Sequence, residues 1–208
     1  MNSVQFRFLF ITDGWDATTA GRVEAALDAC APGEAAVQLR APGLTGRALL
    51  AAATQLAAIA HAHGAALLVN DRVDVALAAG ADGVHLPASG LLPARARQLG
   101  GDDFLVGVST HARGEAVAAQ AGGADYVVFG PVFFTPSKAA YGAPAGLAAL
   151  GDVARAVDGP LFALGGVDAA RAGACVAAGA RVACIGAVLG QADAARGARS
   201  IEDALKGS

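Results

Sequence analysis

Two lysines, three cysteines, two asparagines and one tryptophan in 208 residues leave little reactive chemistry to distribute, and each scarcity excludes something. Cys30, Cys175 and Cys184 are odd in number, sit in apolar surroundings and lack the close spacing of metal-binding or redox pairs, so they read as buried, reduced thiols. Positive charge is sparse and scattered. Lys and Arg total 15 against 18 Asp and Glu, a net charge of −3, with no basic stripe to neutralise a nucleic-acid backbone. Long hydrophobic runs are missing too: Gly, Asp or Arg breaks every Ala-rich stretch, and no window reaches the ~18 clean apolar residues that suggest a membrane span. At the N-terminus only five uncharged residues separate Arg7 from Asp13, too few for a signal-peptide core. The expectations are small-molecule partners, no nucleic acid, no membrane and a cytoplasmic location. Assembly into a homo-oligomer stays open.

What is present is apolar and repetitive. An apolar share of 55% supplies one sizeable core, and no linker divides residues 1–208, so a single domain is expected. The segments 77–86 (LAAGADGVHL), 120–129 (QAGGADYVVF) and 176–185 (VAAGARVACI) align without gaps. Each reads as a helix end, a Gly stop and a buried strand, which implies parallel strands. Filling the intervals places strands at 7–12, 35–39, 66–70, 83–86, 104–109, 126–130, 161–165 and 182–186, with Ala-rich helical segments such as 46–64 between them. Eight strand–helix units in this length give a (β/α)8 TIM barrel. The alternative, a doubly wound sheet, lacks a G-x-G-x-x-G fingerprint after the first strand.

In such a barrel the chemistry gathers at the carboxyl ends of the strands, and polar residues are concentrated there. Gln38 and Arg40 end the second strand; the arginine fork suits phosphate oxygens, or forms a surface salt bridge. Asn70 and Asp71 end the third: either could cap a helix, and Asp71 could hold Mg2+, which takes one or two carboxylates alongside substrate phosphates. Ser109, Thr110 and His111 stand at the carboxyl end of the fifth strand, where His111 is an acid/base candidate or a surface residue at a helix start. Thr135, Ser137 and Lys138 after the sixth form an anion-binding composition, or an ordinary Pro-containing turn. Gly165 and Gly166 after the seventh and Gly186 after the eighth can expose amides to a phosphate. His61, His63 and His85 read as structural or surface residues, and GWDATTAG at 14–21, containing Trp15, is a candidate lid.

The motifs VQLR, VNDRVDVALAAGADGVHL, VGVSTH, GADYVVFGPVFFTPSK and ALGGV, in this order, resemble those of the thiamin phosphate synthase and TenI superfamily of small (β/α)8 barrels. In the synthase branch the resemblance implies coupling of hydroxymethylpyrimidine diphosphate to a thiazole phosphate with loss of pyrophosphate. It places Arg40, Asn70, Thr135, Ser137 and Lys138 on the diphosphate, Asp71 on magnesium, and Gly166, Gly186 and Ala187 on the thiazole phosphate. Lys138, His111 and Ser109 are the catalytic candidates, while Gln38 and Gly165 complete the substrate-binding set. Two positions depart from the synthase pattern: Pro42 stands where it has a lysine, and Gly90 where it has a second magnesium carboxylate. A TenI-like tautomerase acting on a carboxythiazole phosphate, with His111 as its acid/base group, is the alternative. A non-catalytic binder of thiamin-pathway phosphates is the third reading.

Overall fold

The three aligned repeats are helix ends built alike. Gly80, Gly123 and Gly179 take left-handed φ values of 68, 97 and 90°, and the next amide turns back into the helix. Ala81 donates to Ala76 O at 2.9 Å, Ala124 to Ala119 O at 3.1 Å and Ala180 to Cys175 O at 3.0 Å, a Schellman-type closure that delivers the chain straight into a strand. The aspartate that follows in the first two copies then secures the neighbouring strand. Asp82 Oδ2 accepts from the Leu67 amide and Asp125 Oδ2 from the Val106 amide, both at 2.7 Å. Arg181 holds this place in the third copy and donates to the carbonyls of Val4 and Phe6 at 2.8 and 2.6 Å.

The computed structural model describes residues 4–135 and 143–207. Its elements run β1 (Phe8–Ile11), α1 (Thr19–Asp28), β2 (Ala35–Leu39), α2 (Gly46–Ala62), β3 (Ala66–Asn70), α3 (Val73–Ala79), β4 (Gly83–Leu86), α4 (Pro93–Gly100), β5 (Leu105–Thr110), α5 (Arg113–Ala121), β6 (Tyr126–Phe129), α6 (Gly146–Ala154), β7 (Leu161–Ala163), α7 (Ala169–Ala177), β8 (Arg181–Cys184) and α8 (Ala194–Lys206). Each strand pairs in parallel with its sequence neighbours, and β8 returns to β1 to close the barrel. The (β/α)8 expectation holds, with every strand within two residues of its expected bounds.

Alternation along the strands makes two cores. Outward residues such as Phe10, Val37, Val69 and Val127 pack under the helices, whereas Leu9, Ile11, Leu68, Tyr126, Val128 and Phe162 fill the barrel. Phe6, ahead of β1, packs into the interior against Tyr126 and Phe162, with ring centroids 5.8 and 5.3 Å away. Cys175 and Cys184 are buried as expected, but Cys30, just past the end of α1, is only half-buried. Burial pushes the Cys175 thiol up to about 11 and the Cys30 thiol up to about 12. His61 and His63 are structural ties, reaching Asp82 Oδ2 and Asp28 Oδ1, each at 2.9 Å.

Candidate active site

Strand parity decides which polar residues enter the barrel mouth. Gln38 is 2% exposed; its Nε2 donates to Asn70 Oδ1 across β2 and β3 at 3.0 Å, while its Oε1 is buried with no hydrogen-bond partner among the described residues. An amide acceptor stranded in this way costs ~1–3 kcal/mol unless something binds to it. Asn70 therefore caps no helix, and neither does Asp71: the residue at the N-cap of α3 is Arg72. Asn70 O instead accepts from the Arg72 amide at 2.8 Å across Asp71, whose φ of 65° makes it the one non-glycine residue with positive φ among those described. This is a γ-turn of the rarer, strained hand, and it leaves the Asp71 carboxylate exposed beside the strand ends.

The end of β5 and the residue after it split. Ser109 is half-buried on the inner face, where its Oγ lies 2.8 Å from His85 Nε2. Thr110 turns outward and donates to Val128 O at 3.2 Å. His111 is exposed at the foot of α5; its amide donates to Glu115 Oε2 at 2.7 Å, and its Nδ1 lies 2.6 Å from Gly130 O. That carbonyl can only accept, so Nδ1 carries the proton and Nε2 of the neutral ring has the lone pair. His85, read from sequence as structural or surface, is buried and contacts a candidate catalytic hydroxyl. Burial lowers its pKa to about 4, so the ring is neutral near pH 7.

Arg40 stands on the rim with its Nη1 2.8 Å from Asp13 Oδ1, so its surface-salt-bridge alternative is realised. Both side chains are exposed, and such a pair contributes under ~1 kcal/mol, leaving the guanidinium easily transferred to a phosphate. Thr12 fixes the Arg40 backbone: its hydroxyl donates to Arg40 O at 2.8 Å and accepts from the Arg40 amide at 2.9 Å.

Across the mouth, Gly165 and Gly166 have φ values of 97 and 65°. A Cβ on Gly166 would lie 2.8 Å from Phe133 Cβ and Phe134 O, so only glycine fits beneath the β6 loop. Among the described residues no carbonyl accepts the amides of Gly166, Gly186 or Ala187, which leaves them free for an anion. Arg171, unrecognised in the sequence because it lies inside α7, donates to Gly166 O at 2.6 Å and lies over the Phe133 ring. A cavity of about 320 Å3 extends from Gly186 to Thr12, Asp13, Trp15 and Arg22. The candidate lid is folded into a turn of its own by Asp16 Oδ1, which accepts from the Thr18 amide at 2.8 Å and from the Thr18 and Thr19 hydroxyls at 2.7 and 3.0 Å. Thr135 is half-buried after β6, and Ser137 and Lys138 lie outside the described residues.

Gly90 closes a turn onto Pro87 O at 2.9 Å, and a Cβ there would meet Pro87 Cδ at 2.8 Å. A carboxylate at this position needs Pro87 to move. Among the described residues no group of three or more His, Cys, Asp or Glu side chains gathers around a common point that could hold a metal. What the strand ends offer is the single exposed carboxylate of Asp71, a hard oxygen donor of the kind that magnesium takes alongside phosphate and water oxygens.

The family profile described as thiamine monophosphate synthase matches residues 8–188. The thiamine-phosphate synthase of Methanoculleus marisnigri is 47% identical over 178 residues, covering 85% of this chain and 84% of that protein. That of Chlorobium phaeobacteroides is 40% identical over 193 residues, covering 92% and 94%. Among solved structures, thiamine phosphate pyrophosphorylase from Pyrococcus furiosus superposes with a TM-score of 0.86 at 27% identity, covering 98% of this chain and 97% of that one.

Proposed function

The chain belongs to the thiamine monophosphate synthase family, and on that premise we propose that it is a transferase of thiamin biosynthesis, joining hydroxymethylpyrimidine diphosphate to a thiazole phosphate and releasing pyrophosphate. The observation that carries the choice of substrate is the stranded Gln38 Oε1. An aminopyrimidine brings an N–H donor to it; a carboxythiazole phosphate, the tautomerase substrate, brings a carboxylate and a phosphate, which are acceptors. The pyrimidine ring would lie against Gln38 and Asn70, with its methylene carbon toward the rim.

In the reaction the bond between that methylene carbon and the diphosphate oxygen breaks, and the electron pair leaves with pyrophosphate. The thiazole nitrogen lone pair then forms the new C–N bond. Arg40 exchanges Asp13 for the diphosphate; Asn70, Thr135, Ser137 and Lys138 complete its grip and stabilise the charge that grows as it leaves. Gly166, Gly186 and Ala187 hold the thiazole phosphate through their amides, and Gly165 gives the loop room to turn. A magnesium ion bound through Asp71 would neutralise part of the leaving-group charge. Pro42 and Gly90 remove one cation and one carboxylate from this grip, and Lys138 then becomes the main point charge on the diphosphate.

His111 supports a second reading, because its Gly130 contact leaves Nε2 available as a base for thiazole tautomerisation. The deciding experiment incubates the protein with both synthase substrates and magnesium, and in parallel with a carboxythiazole phosphate alone. Thiamin phosphate and pyrophosphate in the first are the expected products. Turnover only in the second would establish the tautomerase, and ligand-induced stabilisation without turnover in either would mark a binder.

A further inference from the structure

Ser109 does not stand alone in the mouth. His85 on β4, Gly107 on β5 and Tyr126 on β6 lie in one row of the barrel register. Gly107 leaves that row open: a Cβ there would fall 2.0 Å from Tyr126 Cζ and 2.3 Å from its hydroxyl. The Tyr126 ring lies through this gap, and its hydroxyl reaches His85 Nδ1 at 3.1 Å. The other imidazole nitrogen, Nε2, meets Ser109 Oγ at 2.8 Å, one inward position nearer the mouth on β5. Tyr126 and His85 are buried, and Ser109 forms the boundary with the opening.

We propose that Tyr126 and His85 are positioning residues that act through Ser109, a relay that holds the Ser109 hydroxyl with its proton directed at the departing diphosphate. The direction follows from counting protons. A neutral imidazole has one N–H. If it were on Nδ1, Tyr126 would have to accept, and its own proton would be stranded among Phe6 and Phe162, since His85 is its hydrogen-bond partner among the described residues. With Tyr126 donating, Nε2 carries the proton and gives it to Ser109 Oγ, and both buried groups are satisfied. Ser109 then has no acceptor in His85, so its proton points into the mouth, strengthened as a donor by the bond it receives. A donor set in place before the reaction stabilises the leaving oxygen as its charge grows. The inference rests on the coupling reading of the site.

Tyr126→Phe tests it, because the ring that packs against Phe6 and Phe162 is kept and the hydroxyl alone is lost. Single-turnover coupling and pyrimidine diphosphate binding are measured for wild type, Y126F, S109A and the double variant, together with 15N NMR of the His85 ring in wild type and Y126F. Y126F should couple about five- to tenfold more slowly with unchanged binding. In the S109A background it should slow the reaction no further, as expected of residues acting as one unit. The NMR spectrum should show Nε2–H in wild type and a mixture of tautomers in Y126F. A wild-type rate in Y126F, an undiminished effect of Y126F on top of S109A, or an Nδ1–H ring in wild type overturns the relay. A wild type that couples nothing removes the coupling reading and the relay with it, whereas a coupling wild type with an unaffected Y126F removes the relay alone.

Discussion

At the residue scale, two of the buried polar groups of the mouth, His85 and Gln38, bear on stability in different ways. His85 is held at about 4 by burial, against about 6.5 in the unfolded chain. Between these values the unfolded state binds the extra proton, so stability falls as pH drops through this window. The loss amounts to roughly 3 kcal/mol and is complete near pH 4. Urea titrations of wild type and His85→Gln at pH 7 and pH 4.5 should show this acid loss in the wild type and a clearly smaller one in the variant. Gln38 carries a stranded acceptor that folding does not use. Gln38→Met keeps the volume and removes the stranded oxygen, but it also removes the bond from Nε2 to Asn70 Oδ1, so the two effects offset and stability should change by less than ~1 kcal/mol. The same change should weaken pyrimidine diphosphate binding at least ~tenfold, since it deletes the group that reads the amine. Calorimetry of the variant checks both, and a loss of stability with intact binding would contradict the assignment.

At the element scale, two of the helix-to-strand junctions repeat one device, a left-handed glycine and, two residues on, an aspartate that caps the preceding strand. Asp125 is the most heavily committed copy. Its Oδ2 accepts from the Val106 amide at 2.7 Å and lies 2.5 Å from Arg97 Nη2, with the aspartate side chain wholly buried. Asp125→Ala leaves an orphan amide on β5 and strips the half-buried Arg97 guanidinium on α4 of its counter-charge, leaving it only backbone carbonyls, and should cost about 3 kcal/mol in chemical denaturation. The equivalent Asp82 shares its carboxylate with the half-exposed His61, so Asp82→Ala should cost less, about 1–2 kcal/mol. Equal costs at the two positions would mean that burial of the ion pair adds nothing.

At the scale of the whole molecule, the closed barrel has two separate apolar layers and places its thiols between helix and strand or against them. The three thiols are all raised by burial, Cys175 to about 11 and Cys30 to about 12, and so hold almost no thiolate at neutral pH. Iodoacetamide at pH 7.5 should therefore label none of them at a rate near that of a free cysteine until denaturant opens the barrel, when all three react together. Fast labelling of Cys30 in the native protein would show that its half-buried position controls reactivity more than its surroundings do.

The order and bounds of the elements were legible in the sequence because their signals are local. Gly80, Gly123 and Gly179 stop helices through their own backbone freedom, and each short apolar run after them has to be a strand covered on both faces. Eight such units imply a barrel, and a barrel implies that the strand ends at Gln38, Asn70, Ser109, Gly166 and Gly186 share one mouth. Closure and register decided everything that depends on which neighbour a side chain meets. Whether His85 faces inward is a matter of strand parity, and its contact with Tyr126 requires that Gly107 be the residue between them in the same row. The pairing of Arg40 with Asp13, the bond from Gln38 to Asn70 and the approach of Arg171 to Gly166 likewise join separate elements. Chain periodicity is a property of neighbours in sequence, whereas hydrogen bonds across a barrel are set by the stagger of its strands.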